Sequence, residues 1–421
     1  MSSLAAIAVP SLAIWAIAAA AVVGVIVRPF RLQEAVSAIA GAVLIVVLGL
    51  LPVRSAAEAV VRGTDVYLFL AGMMLLAEAA RREGLFDWLA AGAVNAARGS
   101  TVRLFLLIYL VGVAVTAILS NDATAVVLTP AVFAAARKAR VDPLPHLLAC
   151  ALVANAASFL LPISNPANLV VYDGRMPRLG VWLAHFLLPS ILAIAATYVA
   201  LYWSERHRLR RSCAPSVALP PLTRGGRTAL AGILLTALAL LAVSTFGASL
   251  GLPTAIMGAG TAAIVLLADR ASPWPLVKDI SWSILPLVAG LFVLVDAVAQ
   301  TGLVATLSHV AEHAVHIAPR GSAPAAGAAI ALAVNLTNNL PAGLVAGTVV
   351  AQGPPALIDS VLIGVDLGPN LSVTGSLATI LWLTAIRREG EDVTFWRFLK
   401  VGAAVMPPAL LLALGARLAL S

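Results

Sequence analysis

The sequence predicts an all-α integral membrane protein built as an inverted repeat, with ten spanning helices, two of them broken at their centres, plus two re-entrant hairpins. Three observations carry this. The 421-residue chain is 61% hydrophobic and only 11% charged, against roughly 25% charged in a soluble domain. Its apolar runs recur at about the 20-residue length that crosses a hydrocarbon core. Four of those runs are interrupted by clusters of Ser, Thr, Asn, Asp, Gly and Pro.

Taken in order, residues 4–27 read as a spanning helix rather than a signal peptide, since no cationic n-region precedes them and no small-residue cleavage site follows. Ordinary spans follow at 34–52 and 64–80. The segment 101–136 has a polar tip, "SND" at 120–122, and a second arm of only about 13 residues, too short to cross at 1.5 Å per residue. It reads as a re-entrant hairpin. Residues 145–172 are long enough to cross but are broken by "LLPISNPANL", and 180–203 form a further span. After the loop 204–227, spans are expected at 228–249, 253–268 and 282–300. A second hairpin follows at 323–351, then a second broken helix at 356–386 around "DLGPNLSVTGS", and a last span at 399–419.

The loop 204–227 holds six arginines and one glutamate, so the positive-inside rule makes it cytoplasmic and places both chain ends outside. Two inverted repeats, 1–203 and 228–421, then flank a cytoplasmic linker. The sequence supports the duplication directly. "LAGMMLLAEAARREGL" from Leu70 aligns with "VAGLFVLVDAVAQTGL" from Val288 at an offset of 218, so Glu78 faces Asp296 and Gly84 faces Gly302. The same offset brings Asn121 onto Asn339. With about seven residues removed, Asn155 falls opposite Asp366 and "ISNPAN" opposite "VTGSLA".

Broken helices persist at membrane depth only where protein or a water-lined cavity satisfies their freed backbone groups. Four breaks in two halves therefore point to one central site, where half-helix ends and polar side chains converge. Its predicted lining is Ser120, Asn121, Asp122, Ser164, Asn165, Thr337, Asn338, Asn339, Thr374, Gly375 and Ser376. Hydroxyl and amide side chains inside membranes also simply join helices, so the constellation carries more than any single member. A carboxylate at bilayer depth costs at least about 2.5 kcal/mol, which marks Asp122 and Asp366 as proton carriers, the other reading being half-helix caps. Carboxylates without a nearby lysine or arginine disfavour an anionic substrate and suit a small uncharged one that hydrogen-bonds to hydroxyls and amides.

Other classes are excluded. The basic residues form no aromatic-interleaved patch, which argues against nucleic acid. Cys150 and Cys213 lack metal-ligand spacing, and no phosphate-binding glycine loop is present. No cofactor or resident metal is implied. His309, His313 and His316 read as one face of an interfacial helix, and Glu78 and Asp296 as snorkelling or capping residues near helix ends.

At "SNDATAVVLTP", "LPISNPANLV", "NNLPAGLVAG" and above all "VDLGPNLSVTGSLATILW", the chain resembles the arsenite/antimonite efflux pump (arsenical pump membrane protein) family of the ion transporter superfamily. The likeness covers nearly the whole length. It implies efflux of trivalent arsenic or antimony hydroxides across the inner membrane in exchange for protons, in some members with a soluble ATPase partner. Asn121, Asp122, Asn338, Asn339, Asp366, Gly375 and Ser376 match the family's positions. Where relatives carry an acid before the first break this chain has Asn155, which passes the proton role to Asp122 or Asp366. The proline of "SNPAN" is similar to that of sodium-coupled anion transporters in the same superfamily. A sodium/proton antiporter, a sodium-coupled anion symporter and a metalloid channel stay open as alternatives at this stage.

Overall fold

A computed structural model describes residues 2–28, 33–210, 212–268 and 270–420, leaving aside the side chains of 2–9. Among the described residues every regular element is helical. Six helices are long and apolar enough to cross a membrane singly, or eight if each of two bent pairs is one crossing. Those pairs are Val53–Arg62 with Thr64–Arg82, bent 46°, and Pro273–Asp279 with Ile284–Gln300, bent 42°.

The elements differ from the sequence reading in detail. Glu34–Val47 has 14 residues and is shorter than the run expected there, because Gly49 takes a left-handed φ of 69° ahead of Pro52. Thr101–Ile118, expected as a hairpin arm, is among the six helices long enough to cross. The arm that returns from the first hairpin tip runs on to Lys138 through a π turn at Thr124–Leu128, further than expected. Leu85–Ala97 and Pro273–Asp279 are helices that the sequence reading passed over. In the second half, Asn338 alone separates Ser322–Thr337 from Asn339–Val350.

The order of elements from residue 2 to 205 recurs from 224 to 419: two helices, a bent pair, a short amphipathic helix, a hairpin, a broken helix and a long final helix. Gly84 and Gly302, aligned by the 218 offset, sit at corresponding corners with φ of 70° and 83° and open the short helices Leu85–Ala97 and Leu303–Ile317. The latter carries His309, His313 and His316 exposed, as an interfacial helix requires. His309 lies 3.4 Å from Glu312, and no cluster of three metal-ligating residues exists among the described residues.

Packing divides the helices into two groups. In the first, Thr64–Arg82 lies on Gly251–Ala268, and Glu34–Val47 lies on Ile284–Gln300. The former crossing is close because two glycines meet there. A Cβ on Gly72 would fall 2.2 Å from the Thr254 carbonyl oxygen, and one on Gly258 would fall 2.3 Å from that of Gly72. Small residues at membrane helix crossings permit this approach. Gly258→Leu is therefore expected to lower the melting temperature in detergent, by a destabilisation of about 1–3 kcal/mol or more, whereas Gly260→Leu, with open space around it, leaves it unchanged. In the second group, Leu179–Glu205 and Phe395–Ala419 pack along each other, with the broken helices and hairpins gathered beside them.

Candidate functional site

The polar interruptions converge. At the first hairpin tip the chain leaves the helix at Leu119, and Ser120 caps the new one, its Oγ accepting from the Ala123 N–H at 3.2 Å. Asn121 turns its Oδ1 onto the Asp122 N–H at 2.9 Å, and the Asn121 N–H donates to the Ser164 carbonyl at 3.0 Å. Ser164 Oγ in turn donates to the Ala117 carbonyl at 3.1 Å. The tip of the first hairpin is thereby fastened to the first helix break. The second hairpin is fastened to the second break in the same way. Asn338, with φ of 74°, caps Asn339–Val350, and its Nδ2 donates to the Thr374 carbonyl at 3.3 Å. Gly375 is needed there, since a Cβ would lie 2.6 Å from Pro369 Cα.

The two breaks bond to each other across the halves. Asn165 caps Pro166–Tyr172 and donates its Nδ2 to Asp366 Oδ1 at 2.8 Å. Ser376 caps Leu377–Arg388 and directs its Oγ to Asn155 Oδ1 at 3.4 Å. Both pairs obey an offset of 211, which relates Asn155 to Asp366 and Asn165 to Ser376. "ISNPAN" thus corresponds to "TGSLAT", one residue beyond the alignment with "VTGSLA" made from sequence. The caps fix this register, which composition alone left loose.

Two runs of contacts therefore pass through the breaks, one from Asn121 to Ser164 and, through the next residue Asn165, to Asp366, the other from Asn155 to Ser376 and, two residues back along the chain at Thr374, to Asn338. The Asn165–Asp366 and Ser376–Asn155 pairs are buried, and two buried oxygens, Asp366 Oδ2 and Oδ1 of Asn339 at the second hairpin tip, have no hydrogen-bond partner among the described residues. Orphaned buried polar atoms are few in native proteins and each calls for a reason. Thr337 stands apart, since its hydroxyl donates back to the Ala333 carbonyl at 3.1 Å and it lines an apolar groove on the other side of the hairpin.

Ser120, Asp122 and Pro166 also line a cleft between the two packing groups, walled opposite by Leu70, Met73, Met74 and Glu78. Its volume is about 80 Å³, several times the roughly 10–15 Å³ that one water needs on this measure. The Asp122 carboxylate has no hydrogen-bond or ion-pair partner among the described residues. Among the described residues no lysine or arginine lines this cleft. Arg81 and Arg82, at its rim, are held by Glu78 at 2.6 and 3.0 Å and by Asp279 at 3.1 and 2.9 Å.

Several of these residues escaped the sequence reading. Asn370 accepts from Asn155 Nδ2 at 3.0 Å and donates to the Leu152 carbonyl at 3.1 Å, so it ties the first broken helix to the second. It lies inside the quoted "DLGPNLSVTGS", where its polarity in an apolar run was the available signal. Glu78 is buried and doubly paired rather than snorkelling. Removing Asn165 as Asn165→Ala strips a cap and a bond to a buried carboxylate. The expected cost is about 1–3 kcal/mol, read as a lowered melting temperature.

Helices broken at depth, joined across two halves and reached by a cleft between helix groups, define a membrane transporter. The sequence profile of the citrate transporter family, CitMHS, matches residues 12–369, and the chain belongs to that family. Among curated proteins it is similar to the arsenical pump membrane protein of Yersinia enterocolitica, 30% identical over 354 residues that cover 79% of this chain and 81% of the relative. An uncharacterized transporter of Mycobacterium tuberculosis is 26% identical over 416 residues, covering 92% and 94%. The likeness to arsenical pumps read from the motifs is thus borne out. Among solved structures, the YdaH transporter of Alcanivorax borkumensis superposes with a TM-score of 0.57 at 15% identity over 87% of each chain, a likeness of fold.

Proposed function

We propose that the protein is a secondary-active exporter of a small uncharged metalloid hydroxide, arsenite or antimonite, across the inner membrane in exchange for protons. On this reading residues 1–203 and 228–421 are inverted repeats, the loop 204–227 is cytoplasmic and both chain ends face outward. The recurring element order and the reciprocal Asn165–Asp366 and Ser376–Asn155 pairs support the duplication. The observation that carries the substrate reading is the make-up of the site. The cleft presents hydroxyls of Ser120 and Ser281 and the acids Asp122, Glu78 and Asp279 with no lysine or arginine among its described lining, and Pro166 on its wall adjoins Asn165, which bonds to Asp366. Citrate, which names the family, would bring up to three negative charges to a lining that holds carboxylates, at a prohibitive Coulombic cost in so dry a place. An uncharged trihydroxide offers only donors and acceptors, and the open oxygens of Asn339 and Asp366 can take its hydroxyl protons. Names of relatives point the same way.

Everted membrane vesicles test it. Imposing an acid-inside proton gradient is expected to drive arsenite or antimonite into the lumen, while a sodium gradient alone does not. Citrate accumulation, or sodium-driven uptake at equal pH, would overturn the reading.

A further inference from the structure

A second polar cluster lies away from the central network. Asp359 and Arg417 are both buried, and Arg417 Nε and Nη2 approach Asp359 Oδ2 at 2.8 and 2.7 Å. The Tyr172 hydroxyl donates to Asp359 Oδ1. His185 Nδ1 lies 2.8 Å from Asp359 Oδ2, a close contact without an aligned hydrogen bond. These four residues come from four helices and both halves of the chain. The His185 ring is a quarter exposed and, with Tyr172, Asp359 and Arg175, lines a cavity of about 280 Å³. By the positive-inside orientation, this cavity opens outward, at the end opposite the basic loop 204–227.

The cluster is wired to the central site by two half-helices. Pro355–Leu367 carries Asp359 and Asp366 seven residues apart, on one face and about 10 Å from each other along the axis. Beside it, Pro166–Tyr172 bonds to the same two acids, Asn165 to Asp366 at one end and Tyr172 to Asp359 at the other. The duplication does not account for the cluster, since the positions 211 residues from Asp359 and Tyr172 are the apolar Leu148 and Leu383. It belongs to one side of the molecule only.

We propose that Tyr172, His185, Asp359 and Arg417, on the floor of the outward cavity, take up the external proton that goes on to Asp366. His185 is the acceptor. A proton from outside water converts its imidazole to imidazolium beside Asp359; residues 360–365 and 167–171 hold no titratable side chain, so water entering between the half-helices carries the proton on, which restores the imidazole and protonates the open Oδ2 of Asp366. The groups facing His185 are Asp359, Arg417 and Tyr172, with Arg175 across the cavity. The arm Asn339–Val350, packed on both half-helices, carries no ionisable residue. Leu144–Ala156 and Arg224–Thr245, which also pack on the His185 helix, hold His146, Arg224 and Arg227 at the ends beside the basic loops, and the one further titratable group on them is the buried thiol of Cys150.

The inference rests on the proton-exchange reading, and two measurements test it separately. His185→Cys, in a background with Cys150→Ala and Cys213→Ala, is expected to react with a membrane-impermeant maleimide added to the outer face. Labelling only from the cytoplasmic face, or none, would overturn the proposal. In reconstituted vesicles, proton-driven arsenite transport by His185→Gln is expected to lose its dependence on outer-face pH. Its response to cytoplasmic-face pH and its melting temperature stay those of the wild type. Full outer-pH dependence in His185→Gln, with the wild type transporting, sinks this inference alone. A wild type without proton-driven transport sinks the functional reading as well.

Discussion

Asp122→Asn is expected to abolish proton-driven accumulation of arsenite in everted vesicles, with a loss on the order of 100-fold, the lower end of what a positioned proton-transfer group is worth. The side chain sits at the hairpin tip, lines the cleft and has no partner for its carboxylate among the described residues. A carboxylate that merely capped a half-helix would be replaced by asparagine with little loss, since asparagine caps as well as aspartate. The capping role at this tip is moreover already filled by Ser120. The substitution therefore separates the two readings. Solute movement down its own gradient that persists at wild-type rate in the variant, with the proton-driven component also intact, would assign Asp122 to structure.

Arg417→Leu is expected to have the largest effect on stability of any single change in the second helix group. It leaves Asp359, 1% exposed, without its cation, and breaking one side of a buried pair costs about 3–5 kcal/mol. The double variant Arg417→Leu/Asp359→Leu is expected to recover most of that loss, because apolar replacement of a whole buried pair is often neutral. Thermal unfolding in detergent checks both. A double variant as unstable as the single one would mean that the half-helices depend on the ion pair for their position.

Much of the architecture was legible in the sequence because a membrane punishes unsatisfied backbone, so every polar break in an apolar run had to mean something. The breaks at 119–120, 157–165, 338 and 368–376 fall on the polar interruptions named from the sequence, the one at 157–165 opening a few residues earlier than "LLPISNPANL". Short elements were not legible. Leu85–Ala97 is too short to announce itself as a span, and it hides behind the arginines that precede it. Glu78 was read by its distance from the helix end, yet its burial depends on Asp279, which is 201 residues away and binds the same arginines. Thr337 carried the right chemistry, but helical phase turns it toward the apolar groove. The network through Asn155 and Asn370 joins residues 215 apart, a pairing that no local pattern encodes.

The reciprocal bonds at the centre are chemically unequal. One joins an amide to an acid, and the other joins an alcohol to an amide, so the matched seats hold a single titratable oxygen pair. A pump that trades one proton at that seat for an uncharged passenger moves net charge with every cycle. It would therefore draw on the membrane voltage, worth about 2.3 kcal/mol per charge at 100 mV, as well as on acidity, and could keep exporting in a neutral medium where the pH difference has vanished.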